Sequence, residues 1–283
     1  MNTVKNHLWI GVIAILVLVF VLLNSRNESV QVEDSTFERI TDEKIVRVGY
    51  AAYPPYVVKD IKTGELSGYY IDIVEELANR MDWEIEWVET TWEIAIVDLK
   101  TGKFDLMGGP LFAVPSRWAE VSFTSPLGYF SGVAGLVKED DFRFSKIEDL
   151  NKDGVSIAVP QGWTSQEYAT KNLPFATQKV FAGNTAALAF ADVVAGNVDV
   201  ALADAASIQQ YLEQNPNQNV KALFMDNPPQ IIPASWSVRK GDVEWLLFLN
   251  GVTQALQTDG TLKKLAKKYT LYSYEIETTF IPQ

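Results

Sequence analysis

The chain has 283 residues, 47% hydrophobic and 21% charged, with no cysteine, one histidine and a formal charge of −12. That is enough apolar material for one large or two medium α/β domains with real cores. The absence of cysteine excludes a disulfide framework, a thiolate zinc site and a cysteine nucleophile; the lone His7 beside an N-terminal apolar run leaves the body without a serine–histidine triad or a histidine metal site; and the acidic balance argues against nucleic acid.

Residues 8–23, LWIGVIAILVLVFVLL, are an unbroken apolar run. They exit into Leu23-Asn24-Ser25-Arg26, which offers no small-residue cleavage site and no lipobox cysteine. Residues 1–24 therefore read as an uncleaved membrane anchor rather than a cleaved signal peptide, and in either case the body is exported. Residues 25–44 are polar and charged and read as a tether.

The folded body begins at Ile45-Val46-Arg47-Val48-Gly49, a short buried strand, followed by the rigid aromatic loop Tyr53-Pro54-Pro55-Tyr56. Thr63-Gly64-Glu65 marks a hairpin-like turn. A helix opens after Gly68, with apolar positions at Ile73, Val74, Leu77, Ala78 and Met81. Alternation at Glu84–Trp87 predicts a half-buried strand, and Trp92–Lys100 a second helix stopped by Gly102. Phe104–Met107 is strand-like and breaks at Gly108-Gly109-Pro110, where the backbone must turn and lie close to something. Arg117 follows shortly, a fork of donors suited to a carboxylate.

The segment LKTGKFD at 99–105 has an echo in VVAGNVD at 193–199: a helix end, a glycine stop, a spacer pair, an Asp and a buried strand. The chain thus carries two similar α/β units, the first strand exiting at Gly109-Pro110 and the second at Asp204. Between them, Val155–Val159 predicts a buried strand, and Pro160-Gln161-Gly162-Trp163-Thr164-Ser165 a loop entering a helix whose N–H groups can receive an anion. Asn184 is read as the cap of a helix running to Ala195, and Asp204 as the cap of a helix beginning at Ala205. Val243–Gln257 and Thr261–Tyr269 read as the closing helices, and residues 270–283 as an unassigned tail.

These runs, from VRVGYAAYPPY through GELSGYYIDIVEELANRM, WEIAIVDLKTGKFDLMGG, PSRWAEVSFTSP, IEDLNKDGVSIAVPQGWTSQEY and GNVDVALADAASIQQYL to VTQALQTDGTLKKLAKKY, resemble the family 3 solute-binding proteins. These are type II periplasmic binding proteins that serve polar amino-acid ABC importers. The resemblance spans about residues 45–269. It implies an α/β fold of two discontinuous lobes joined by a two-segment hinge: 45–130 plus 229–269, and 134–225. Crossings would fall near Tyr129–Val137 and Asn227–Ser235, where Gly128, Gly132, Gly135, Pro228, Pro229 and Pro233 cluster.

The same resemblance implies that Arg117 clamps a ligand carboxylate, that Asp204 takes an ammonium and that Thr164 donates to the carboxylate. Tyr53 and Trp92 would sandwich the ligand body. Gly109 brings the backbone close, and Phe112 and Trp163 face the cleft from the same loops. Phe112 and Val114 stand where the family usually has small hydroxyl residues, and Pro110 has no N–H to give. The expected protein is a monomeric, anchored binding protein with no cofactor. It takes an amino acid or an amine-bearing derivative and works with an ABC permease. The rivals are a dehydratase-like enzyme on the same fold, for which Glu167 is the only further carboxylate near the cleft, and a ligand-sensing module.

Overall fold

The computed structural model describes residues 35–183, 185–269 and 272–274. The expected anchor at 8–23, the first part of the expected tether, the cap residue Asn184 and most of the tail lie outside the described residues. Among the described residues no helix is long and apolar enough to cross a membrane.

The later part of the expected tether is helical, which corrects the sequence reading. Helix α1 (Thr36–Glu43) looks polar, yet it carries a narrow apolar stripe. Ile40 is fully buried, and Phe37 packs its ring 4.7 Å from Phe248. On the same helix Arg39 reaches Asp105 at 2.5 Å. Two apolar contacts and one ion pair fix a segment whose average composition reads as solvated.

The first sheet contains β1 (Ile45–Tyr50), β4 (Glu84–Glu89), β5 (Leu106–Met107), β6 (Val121–Phe123) and β13 (Ser237–Arg239), in the order β4-β1-β5-β13-β6. The β1 pairings with β4 and β5 are parallel, and β13 returns antiparallel to β5 and β6. The hairpin β2 (Val58–Lys59) and β3 (Leu66–Ser67) closes at the predicted turn. Helix α2 (Tyr69–Met81) buries Ile73, Val74, Leu77 and Ala78 of the expected stripe, leaves Met81 half-buried, and also buries Tyr69, Tyr70 and Ile71 at its start. The second predicted helix is shorter than expected, α3 (Ala95–Lys100), because Thr91–Ile94 forms a turn before it.

The second sheet runs β11-β7-β10-β8-β9, built from β7 (Phe130–Lys138), β8 (Ser156–Pro160), β9 (Thr177–Phe181), β10 (Val200–Asp204) and β11 (Val220–Leu223). Apolar clusters line both of its faces. The chain passes between the two sheets twice. At the crossing, Phe130–Gly132 of β7 pairs antiparallel with β12 (Ile231–Pro233).

The tail adds a third strand of contact there. Tyr274 N–H donates to Phe130 O at 3.0 Å, and Tyr274 OH to Met225 O at 2.7 Å. Gly132 makes room for it, since a Cβ there would lie 2.5 Å from the Tyr274 ring.

The echo seen in the sequence is a repeated structural device. In the first unit Asp105 accepts the Arg47 N–H at the start of β1 and the guanidinium groups of Arg39 and Arg47. In the second, Asp199 accepts the Ser156 N–H and hydroxyl at the start of β8 and the guanidinium of Arg143. Burial pushes the Asp199 pKa up, but the bonds from Arg143 and Ser156 outweigh it and hold the carboxyl below its usual range. Each Asp staples the entry of its own strand to the parallel neighbour, so both strands exit toward the opposite lobe.

Candidate functional site

Strand β5 ends at Met107, and the next residues are held by backbone contact. A Cβ on Gly108 would meet Val48 at 2.5 Å, and one on Gly109 would meet the Trp92 ring at 3.4 Å. The loop then turns on itself. Leu111 N–H bonds Gly109 O, Phe112 N–H bonds Pro110 O, Val114 N–H bonds Phe112 O, and Ala113 N–H bonds Pro233 O. Pro110 has no N–H, so the backbone donors from 110 to 114 are absent or used inside the protein.

This loop leads into the short helix α4 (Pro115–Trp118), which carries Arg117. Its guanidinium donates to Phe112 O at 3.1 Å and, across the cleft, to Gly162 O at 2.8 Å. Among the described residues no carboxylate lies within ion-pair distance of it. Desolvation lowers its pKa to about 10, which leaves it charged at neutral pH. A desolvated cation held only by carbonyls is prepared for an anion.

The facing wall comes from the second lobe. Gly162, Trp163 and Thr164 lead into α5 (Thr164–Asn172), whose first turn presents the positive end of the helix. Gly162 adopts φ +77°, and a Cβ there would sit 3.2 Å from the Trp92 and Glu93 backbone of the other lobe. A side chain at 162 would be strained at this φ and would press the facing backbone back by a few tenths of an ångström. Sequence reasoning placed Gly162 in the loop without a role; its neighbour across the cleft is some seventy positions away in the chain and invisible locally.

Tyr53, Trp92, Phe112, Arg117, Trp163 and Thr164 come together, with Pro110 and Gly162, around a nearly closed space of about 20 Å³. Rings dominate the lining: Tyr53 lies 6.2 Å from Trp92, 6.1 Å from Phe112 and 6.1 Å from Trp163, edge to face in each case. Gly109 lies one layer behind, supporting Trp92. The Trp163 indole N–H is buried without a protein acceptor.

Asp204 is placed differently from the other candidates. It caps α6 (Ala205–Gln214), as expected, by accepting the Ser207 N–H. It is only 4% exposed and does not line this space, because Tyr53 stands in front of it. Its Oδ1 accepts Tyr53 OH at 2.7 Å and Ser207 N–H at 3.0 Å, and its Oδ2 accepts Ser207 OH at 2.8 Å. Desolvation raises its pKa against these bonds. Tyr56, Tyr70 and Tyr129 pack behind Tyr53 as a buried phenolic cluster that sequence reasoning did not single out. Glu167 sits at the rim, accepting Ser116 OH at 2.8 Å; it borders an outer pocket together with Arg117, and its charge favours the protonated guanidinium.

Two α/β lobes, a paired double crossing and a chamber closed between strand ends are the architecture of a two-lobe periplasmic binding protein. The model of the bacterial extracellular solute-binding proteins, family 3, matches residues 46–272, and the chain belongs to that family. It is 29% identical over 245 residues to the L-arginine-binding protein of Pseudomonas aeruginosa, covering 83% of this chain and 90% of that one. It is 28% identical over 235 residues to the lysine/arginine/ornithine-binding periplasmic protein of Escherichia coli, covering 79% and 86%. Among solved structures, an ancestral amino acid-binding protein described as a precursor of cyclohexadienyl dehydratase superposes with TM-score 0.74 at 34% identity, covering 83% of this chain and 99% of that one.

Proposed function

We propose that this protein captures an amino acid or an amine-bearing amino-acid derivative between its lobes and delivers it, as a monomer, to the permease of an ABC importer. The observation that carries this is a guanidinium, Arg117, that faces an aromatic-lined chamber with no carboxylate within ion-pair distance among the described residues, together with a buried carboxylate, Asp204, on the opposite lobe directly behind the chamber's Tyr53 wall. A zwitterion or amino acid-like ligand complements both charges, and a desolvated site strengthens them. The names of the relatives support an amino-acid class of ligand. The missing backbone donors between 110 and 114 favour a head group or body that departs from a plain polar amino acid.

The role is binding without chemistry. Glu167, the carboxylate an enzyme reading would need, is engaged with Ser116 at the rim. A thermal-shift screen against amino acids, amines and simple carboxylates tests this. A matching amine-bearing compound at 100 times its Kd stabilises the fold by about 2.7 kcal/mol, roughly 5–10 °C in Tm. Stabilisation by amine-free carboxylates alone is the opposite result.

The apolar run at 8–23, with no cleavage site after it, supports attachment to the membrane outside the cytoplasm. Mass spectrometry of the protein from its native membrane should find that run intact; a mature N-terminus near Asn24–Glu28 would identify it as a signal peptide.

A further inference from the structure

We infer that the Tyr53 hydroxyl is a latch that occupies the cation position of Asp204 and that a ligand must displace. As such it sets which nitrogen groups the site accepts. This rests on the amine-binding reading above for its ligand arm, and on geometry alone for its effect on closure.

Tyr53 belongs to the first lobe. Its backbone is fixed in a tight loop: its N–H donates to Val57 O, and its O accepts the N–H groups of Tyr56 and Val57. Its side chain crosses to the second lobe and donates to Asp204 at 2.7 Å, with Tyr129 OH 3.2 Å away. Burial, reinforced by the Asp204 charge, raises the phenol pKa, so the hydroxyl remains a proton donor. The other bonds to Asp204 both come from Ser207 of its own helix cap and do not depend on lobe position. The tyrosine bond is the one that exists only when the lobes meet.

Tyr53 and Trp163 together form a partition. On one side is the chamber of Arg117; on the other is a second space of about 200 Å³ bordered by Ser207, Gln210 and Tyr211 of the second lobe. Asp204 lies behind this partition, reachable from either side once the phenol swings away.

The exchange is selective on energetic grounds. A ligand nitrogen that takes Tyr53's place breaks one neutral donor bond to a carboxylate and makes another. An ammonium makes a bond with charge on both sides, and gains. An amide or acylated nitrogen makes another neutral-donor bond and gains little, while the displaced phenol loses a buried partner. The site therefore accepts cationic nitrogen and rejects its acylated counterpart.

The test is Tyr53→Phe, which keeps the ring and removes the hydroxyl. Cysteine is absent from the chain, so a spin label on exposed Glu65→Cys and one on exposed Lys171→Cys report the distance between lobes. Without added solute, Tyr53→Phe should shift the distance distribution toward longer separations than in the labelled parent. With L-arginine, L-histidine and their Nα-acetyl forms as probes, the parent should prefer the free amine at least tenfold. Tyr53→Phe should bind the free amine about 3- to 10-fold more tightly, the worth of one released hydrogen bond.

An unchanged distance distribution without solute overturns the latch, as does weaker binding of the free amine by Tyr53→Phe, which would make the hydroxyl a ligand contact. If none of the amine-bearing compounds of the thermal-shift screen, these probes included, binds either protein while Tyr53→Phe still opens, the latch stands and the amine-binding reading fails.

Discussion

Asp204→Asn is expected to weaken binding of an amine-bearing ligand by about 2–5 kcal/mol, on the order of a 30-fold to several-thousand-fold loss, because one partner of a buried charge pair is removed. Asparagine is close to isosteric and can still accept from Tyr53 and from Ser207 N–H, so the helix cap survives. Stability should move the other way. Burial raises the Asp204 pKa, so the folded protein holds that proton more readily than the unfolded chain. Ionisation therefore costs the native state nothing below the unfolded value of about 3.9 and its full penalty above the raised native value. At neutral pH the asparagine variant should be at least as stable as its parent while binding far less. Arg117→Lys keeps the charge and should cost less affinity than Asp204→Asn. Calorimetry on both variants with the compound from the screen decides the order. Loss of binding in Arg117→Lys alone would make the carboxylate clamp the anchor.

Asp105→Ala should be the more damaging change to the fold, by about 3–5 kcal/mol, the range for breaking a buried ion pair. Asp105 is fully buried and holds the Arg47 N–H and two guanidinium groups. The arginine side chains are 26% and 32% exposed, which places the effect toward the lower end of that range. At roughly 2–4 °C per kcal/mol for a chain of this size, the midpoint falls by about 6–15 °C. The matching change, Asp199→Ala, removes a pair whose arginine is 56% exposed and should cost clearly less. Equal losses at the two positions would contradict the stapling account. So would normal stability in Asp105→Ala, since α1 would then not depend on its tie to the first lobe.

That pair of aspartates shows what could be read in the chain before its structure. The spacing of helix end, glycine, Asp and strand was visible because each device is local, and so was the capping role of Asp204. The break at Gly108-Gly109-Pro110 also announced a close approach of backbone. The stapling partners were not visible, since Arg39 and Arg47 lie some sixty residues from Asp105 and no periodicity links them. Helix α1 was misread because eight mostly polar residues average to a tether, while two aromatic or aliphatic side chains decide its position. The Tyr53–Asp204 bond joins residues 151 apart. It converts an expected stacking ring into a hydrogen-bond donor, which no local pattern announces. The strap at Tyr272–Tyr274 was equally hidden. Three residues carry no pattern, and their place at the crossing depends on Gly132 having no side chain.

The most direct test of hinged capture is the distance between labels on Glu65→Cys and Lys171→Cys, one in each lobe, measured with and without a saturating amount of the compound that raises Tm most. Because Tyr53 already holds the ligand-free parent toward the shut form, closure is read in the Tyr53→Phe background, where binding should narrow the distribution and shift it to shorter separations in proportion to occupancy. A distribution that stays the same at full occupancy would mean that the lobes do not close on their ligand, and would contradict the account.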